Sequence, residues 1–338
     1  MTTASELTNT IQALSQPGKG ILAADESTAT IKKRFDTINL ESTEASRRDY
    51  REMLLSTPNL GDYISGVILF EETLGQKTAS GQAMTAMLDQ QGIIPGIKVD
   101  LGLIPLTNAH DEQATRGLDT LPERLAQYKQ QGARFAKWRA VYHITDTLPS
   151  RQAIVTNATL LARYAAICQE HGIVPIVEPE VLMDGSHTIE RCADVTERVL
   201  HAVFRELRMH KVALEHIILK PNMVIAGTDC PQRPSVQQVA EMSVDVYKRT
   251  VPAAVPTINF LSGGQSDVEA TEHLQAMNAL GNLPWNLSYS YGRALQAPSI
   301  QAWHGDANNV IKGQAALMKR CQANSAANLG QYTSAMEA

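Results

Sequence analysis

Lys220 follows the apolar run Ile217-Ile218-Leu219 and directly precedes Pro221. This places an ammonium group at the end of a segment that reads as a buried strand, where charge is costly to desolvate. Other apolar runs carry charge in the same way. Asp25 closes GILAAD, Lys98 and Asp100 close IIPGIKVD, Lys137 and Arg139 lie in FAKWRAVY, and Glu178 and Glu180 lie in VPIVEPEV. Lys137 and Arg139 are two residues apart, as are Glu178 and Glu180, so in a strand each pair shares one face. Singly, each has a plain reading: a strand-end lysine reaching solvent, or a surface charge pair. Together they fit a site in which charges shift one another's pKa.

An amine becomes a nucleophile once desolvation or a neighbouring cation lowers its pKa, and Lys137 can be that cation for Lys220. Attack on a carbonyl gives a carbinolamine, whose loss of water needs a proton that a carboxylic acid such as Glu178 can supply. The resulting iminium is an electron sink, so a neighbouring C–C bond can break. Asp25 can accept the hydroxyl proton that drives that cleavage. These steps call for no metal and no cofactor. Ser262-Gly263-Gly264 reads as an anion nest, with an ordinary turn as its plain alternative. Arg293, close behind Ser290 and Gly292, can clamp a phosphate bidentately. Lys98 and Ser27 can hold a second phosphate. The substrate so described is a small phosphorylated carbonyl compound.

The elements that must position these groups are legible as eight short apolar runs, at 20–25, 63–70, 93–100, 135–142, 174–181, 216–223, 255–263 and 286–292. Their brevity and branched residues favour strands. Helix signals lie between them. Thr120-Leu-Pro-Glu123 predicts a capping box with Gly132 as the stop, and Ser150, Ser235 and Ser266 or Asp267 predict further helix starts. Val195, Val199, Val203 and Leu207 form a core-facing stripe at helical spacing. Strands alternating with helices imply a parallel sheet with right-handed crossovers. The fold class is therefore α/β, a single-domain (β/α)8 TIM barrel over residues 1–338, with an extra C-terminal helical segment and tail over 305–338. An open doubly wound sheet is the alternative, but no G-x-G-x-x-G follows any strand. A barrel gathers catalytic groups at the C-terminal ends of its strands, with phosphate sites commonly after the seventh and eighth.

The bulk composition narrows the partners. The chain has 338 residues, 43% of them apolar, and a net charge of −5 without a long basic stretch. Nucleic acid and anionic membranes are thereby disfavoured. Lys32-Lys33-Arg34 and Arg47-Arg48 read as solvated helix faces. The start of the sequence has no signal-peptide pattern, and no apolar stretch is long enough to span a membrane. Cys168, Cys192, Cys230 and Cys321 form no C-x-x-C pair, which suits a reduced, intracellular setting. The histidines are scattered, without the clustering a metal-dependent enzyme would need. LSGGQ (261–265) also occurs in transporter ATPases, but Gly18-Lys19 is followed by Gly20 and makes no phosphate-binding loop.

Seven segments, in order, resemble class I fructose-1,6-bisphosphate aldolases: LAADES (22–27), GIKVD (96–100), AKWR (136–139), VEPE (177–180), LKPNM (219–223), FLSGGQS (260–266) and SYGRALQA (290–297). The resemblance implies that Lys220 forms the Schiff base. It implies that Glu178 handles the carbinolamine and C4-hydroxyl protons with Glu180 in support, and that Asp25 and Lys137 position and polarise the substrate. Ser27, Thr30, Arg34, Lys98 and Arg139 would line the 6-phosphate side or its approach. Ser262, Gly263, Gly264, Ser290, Gly292 and Arg293 would line the 1-phosphate side. The implied activity is that of a metal-independent lyase, cleaving fructose 1,6-bisphosphate reversibly to dihydroxyacetone phosphate and glyceraldehyde 3-phosphate. A related aldolase preferring sedoheptulose 1,7-bisphosphate or fructose 1-phosphate is the alternative, and a non-catalytic scaffold homologue a remoter one. A cytoplasmic homo-oligomer, often a tetramer, is the family pattern. Many members carry a longer tail ending in tyrosine, whereas the last tyrosine here is Tyr332.

Overall fold

The structure, a computed structural model, describes residues 2–338. Its described strands, in chain order, are β1 (Gly20–Ala24), β2 (Ile64–Leu69), β3 (Ile94–Lys98), β4 (Leu103–Pro105), β5 (Gln113–Thr115), β6 (Phe135–Tyr142), β7 (Val174–Val181), β8 (Ile218–Leu219), β9 (Thr257–Phe260) and β10 (Asn286–Tyr291). Eight of them close into a parallel barrel in the ring order β1-β2-β3-β6-β7-β8-β9-β10. These eight fall within the eight apolar runs, as the sequence predicts. β4 and β5 pair antiparallel as a ribbon between β3 and β6. That ribbon is not anticipated by the sequence reading, because three-residue strands with mixed exposure show no usable alternation.

Strand parity separates two cores. Ile21, Ala23, Ile68, Phe135, Val174, Ile176 and Ile218 point into the barrel, and the helix Thr3–Leu14 plugs its base with Leu7, Ile11 and Leu14. Trp138 and Tyr142 of β6 belong instead to the larger cluster between strands and helices, where Trp138 stacks on Tyr164 of the helix Arg151–Glu170. The inward parity runs on from apolar into charged residues. Two residues beyond Ala23 is Asp25, and two and four beyond Phe135 are Lys137 and Arg139. Two and four beyond Ile176 are Glu178 and Glu180, and two beyond Ile218 is Lys220. An apolar floor thus supports a charged upper layer on the same inward face.

The floor leaves little spare volume. A Cβ on Gly96 would fall 2.3 Å from the Phe135 ring, and one on Gly66 2.6 Å from Leu14. Gly96→Ala is therefore expected to destabilise the fold by about 1–3 kcal/mol through overpacking. Urea unfolding checks this, and an unchanged midpoint would show that the ring moves aside at no cost.

The helix starts at Ser150, Ser235 and Ser266 are as expected, each side chain accepting from a backbone N–H three residues on. Thr120 differs. The helix runs Leu121–Gln130, but the Thr120 side chain caps nothing and accepts from Arg124 Nε at 3.2 Å, so the predicted capping box does not form. The C-terminal segment forms the helix Val310–Asn328 with short 3-10 turns at Ala307–Asn309 and Ser334–Glu337. Among the described residues no helix is long and apolar enough to cross a membrane.

Candidate active site

The segment carrying Lys220 leaves the regular ladder at Leu219, sooner than the apolar run suggests. The Lys220 N–H still donates to the Val177 carbonyl at 2.8 Å, but Pro221 has no N–H to give. The Asn222 side chain takes over that edge. Its Oδ1 accepts from the Val181 N–H at 3.0 Å, and its Nδ2 donates to Thr196 Oγ1 at 3.2 Å. Ser243 Oγ accepts from the Val224 N–H at 2.9 Å, and the Tyr247 hydroxyl donates to the Asn222 carbonyl. Side chains from two flanking helices thus anchor a stretch with no ladder of its own, which fixes where Lys220 points.

It points at Glu178. Lys220 Nζ lies 3.1 Å from Glu178 Oε1, and Lys137 Nζ lies 3.3 Å from Glu178 Oε2 and 2.8 Å from Asp25 Oδ2. The side chains of Lys220, Glu178 and Lys137 are only 4–6% exposed. Parallel pairing of β6 with β7 sets Arg139 opposite Glu178, and pairing of β7 with β8 sets Val177 opposite Leu219. The register therefore brings Lys220 level with Glu178, while Lys137 reaches it from two residues lower on β6.

The charges hold one another. Burial alone would raise the Glu178 carboxyl, but Lys137, Lys220 and Arg139 outweigh it and hold the group below the usual carboxylate range. Burial opposes ionisation of Asp25 too, and Lys137 and Lys220 again win, depressing it strongly. Burial would discharge Lys137, yet Asp25 and Glu178 push its pKa well above the ordinary lysine value. The resting site therefore holds Lys137 as a cation between two carboxylates. With the Lys137 and Lys220 side chains in contact with it, Glu178 starts as a carboxylate and supplies a proton only after taking one up.

The remaining predicted residues fall on two sides of this centre. Ser27, Lys98 and Arg139 line one cavity of about 560 Å³. Lys98 is ion-paired with Asp100 at 2.6 Å, and Arg139 with Glu180. Ser27 caps the helix Thr28–Asp36, and its Oγ lies 3.1 Å from the hydroxyl of the exposed Thr30. Arg34 does not line that cavity. It shares a separate slot with Arg293 and Gln296 and pairs with Glu26. The reading of 32–34 as a wholly solvated face is corrected: Lys32 and Lys33 are exposed, Arg34 is not. Arg47 likewise is partly buried, paired with Glu72 at 2.6 Å.

On the other side, Ser262 and Ser290 are buried, and among the described residues Ser290 Oγ has no hydrogen-bond partner. Gly264 has φ +75°, and a Cβ there would lie 2.6 Å from that of Met183. A Cβ on Gly263 would stand 3.0 Å from Glu180 Oε1, so a side chain there would press on the carboxylate. Gly292 precedes the helix Arg293–Trp303, whose free N–H groups suit an anion. Arg293 donates to the Ser262 and Gln265 carbonyls and ties helix to loop.

Sequence reasoning missed the support beneath Asp25. Glu26 is buried, takes Arg51 Nη1 at 2.7 Å and Gln296 Nε2 at 2.9 Å, and pairs with Arg34. Gln296 Nε2 also donates to the Ala23 carbonyl at 2.7 Å. Glu26 is visible beside Asp25 in LAADES, but nothing local links it to residues 25 and 270 positions away. Among the described residues no group of three histidine, cysteine or acidic side chains could hold a metal ion.

A closed parallel barrel with a buried amine and carboxylates at one mouth is the architecture of an enzyme. The model of the family described as fructose-bisphosphate aldolase class-I matches residues 6–338. The chain is 54% identical over 333 residues to the fructose-bisphosphate aldolase of Dictyostelium discoideum, spanning 98% of this chain and 93% of that one. It is 56% identical over 331 residues to fructose-bisphosphate aldolase 1 of Toxoplasma gondii, spanning 97% and 91%. Fructose-bisphosphate aldolase from Plasmodium falciparum, solved in complex with TRAP and a small-molecule inhibitor, superposes with a TM-score of 0.97 at 52% identity, covering 98% of this chain and 96% of that one. The chain belongs to the class-I fructose-bisphosphate aldolase family.

Proposed function

We propose that this protein cleaves fructose 1,6-bisphosphate reversibly to dihydroxyacetone phosphate and glyceraldehyde 3-phosphate through a Schiff base on Lys220. The observation that carries the reading is the 3.1 Å contact between the Lys220 amine and the Glu178 carboxylate in a buried site that also holds the Lys137–Asp25 pair. Glu178 takes a proton from Lys220 and so produces the neutral amine and a carboxylic acid together. The amine adds to the C2 carbonyl, and a proton moves from nitrogen to oxygen to give the neutral carbinolamine. Glu178 returns its proton to the departing hydroxyl, water leaves, and the iminium forms. Glu178, again a carboxylate, takes the C4-hydroxyl proton as the C3–C4 bond breaks and its electron pair enters the iminium to give an enamine. Glyceraldehyde 3-phosphate departs. Protonation at C3 and hydrolysis then release dihydroxyacetone phosphate.

Lys137, kept charged by Asp25, polarises the oxygens around the breaking bond. Lys98, Arg139 and Ser27 serve the 6-phosphate, with Thr30 at its approach. Ser262, Gly263, Gly264, Ser290, Gly292 and Arg293 serve the 1-phosphate, and Arg34, placed beside Arg293, joins that side. A phosphate oxygen there would satisfy the lone Ser290 hydroxyl. Glu180 holds Arg139 in place.

An iminium formed on a protein amine supplies the electron sink that a metal would otherwise provide. Cleavage of fructose 1,6-bisphosphate, followed by coupled triose-phosphate detection, is therefore expected to proceed undiminished in excess EDTA. No cleavage, or cleavage lost on chelation and restored by zinc, would overturn the reading.

A further inference from the structure

Asp100 lies just past the end of β3 and is buried. Its Oδ1 accepts from Lys98 Nζ at 2.6 Å and from the Gly102 N–H at 3.2 Å, and its backbone carbonyl takes Lys98 Nζ at 2.8 Å. Two of the three ammonium N–H donors of Lys98 are thus directed at one residue. The other carboxylate oxygen, Oδ2, is buried without a hydrogen-bond partner among the described residues. Lys98 is opposite Lys137 in the β3–β6 register, so two like charges stand on neighbouring strands. Asp100 offsets that repulsion. It also means that an anion reaching Lys98 meets a neutral ion pair with one free donor, not an unopposed cation.

We infer that Asp100 is a positioning and specificity-setting residue: acting through Lys98, it aims the ammonium at the 6-phosphate and tempers the hold on that group. This rests on the reaction proposed above. A carboxylate beside a phosphate dianion weakens its binding, which keeps the product bearing that phosphate releasable. Fructose 1-phosphate, which lacks the second phosphate, does not use Lys98 and should be indifferent to the tempering. Any influence of Asp100 on Lys137 acts on both sugars alike and cancels in the ratio of their kcat/KM values.

The test compares wild type, Asp100→Asn and Asp100→Glu on both sugars, with inorganic phosphate as competitor. Wild-type cleavage of both establishes the reaction first, and a protein that cleaves neither overturns both readings. Asparagine keeps an acceptor for Lys98 and Gly102 but drops the charge. The bisphosphate-to-monophosphate ratio of kcat/KM should then rise about three- to tenfold, the size of one partly exposed charge interaction. Phosphate should inhibit the asparagine variant more tightly by a similar factor. Glutamate keeps the charge and should leave the ratio within about twofold of wild type, as a conservative rescue. An unchanged ratio in Asp100→Asn, with or without a parallel loss on both sugars, would overturn the assignment.

Discussion

Lys220→Met is expected to lower turnover of fructose 1,6-bisphosphate by about five to six orders of magnitude, the scale on which removing a covalent nucleophile acts. The variant should still fold. Methionine matches the volume of the lysine stem, and Glu178 keeps its contact with Lys137 at 3.3 Å, so no buried carboxylate is stranded. Substrate should also still bind, because the phosphate-side residues are untouched. Equilibrium binding beside steady-state kinetics separates the two effects. If methionine cost only tenfold in turnover, another amine would be the nucleophile, and Lys137, held as a strong cation by Asp25 and Glu178, is poorly placed to be it.

Glu178→Gln is expected to reduce turnover by about two to four orders of magnitude, the usual contribution of an acid–base group. Glutamine keeps the shape and an acceptor oxygen toward Lys220, but can neither take the ammonium proton nor return it to the carbinolamine. The loss should therefore appear in the rate of iminium formation as well as in cleavage. Rapid-quench trapping measures the first, and triose-phosphate release the second. A slowed cleavage step with normal iminium formation would confine Glu178 to the C4-hydroxyl proton. A near-normal rate in both would remove it from the chemistry.

The barrel was legible because each strand is a short apolar run whose inward parity ends in charge. Ile176 leads to Glu178 and Ile218 to Lys220, so one pattern announces both the floor and the site. Spacing of two also placed Lys137 with Arg139 and Glu178 with Glu180. What did not show were relations that depend on distant segments. The Thr120 hydroxyl is engaged by Arg124 and never caps its helix, a competition that the capping pattern alone cannot reveal. Arg34 looked like one more cation of a solvated face, yet Glu26 draws it toward Arg293. The protonation of Glu178 depends on two lysines arriving from β6 and the end of β8, so no local sequence could have shown that the group rests as an acceptor. The β4–β5 ribbon is too short to carry a periodic signal.

The central claim is that the Lys220 amine becomes covalently joined to substrate, and borohydride reduction in the presence of dihydroxyacetone phosphate tests it most directly. Reduction traps an iminium as a stable secondary amine, and peptide mapping by mass spectrometry locates it. The predicted result is one three-carbon phosphate adduct per chain, on the peptide containing Lys220, accompanied by irreversible loss of activity. An adduct on Lys137 or Lys98, or full activity after reduction with no adduct, would contradict the account.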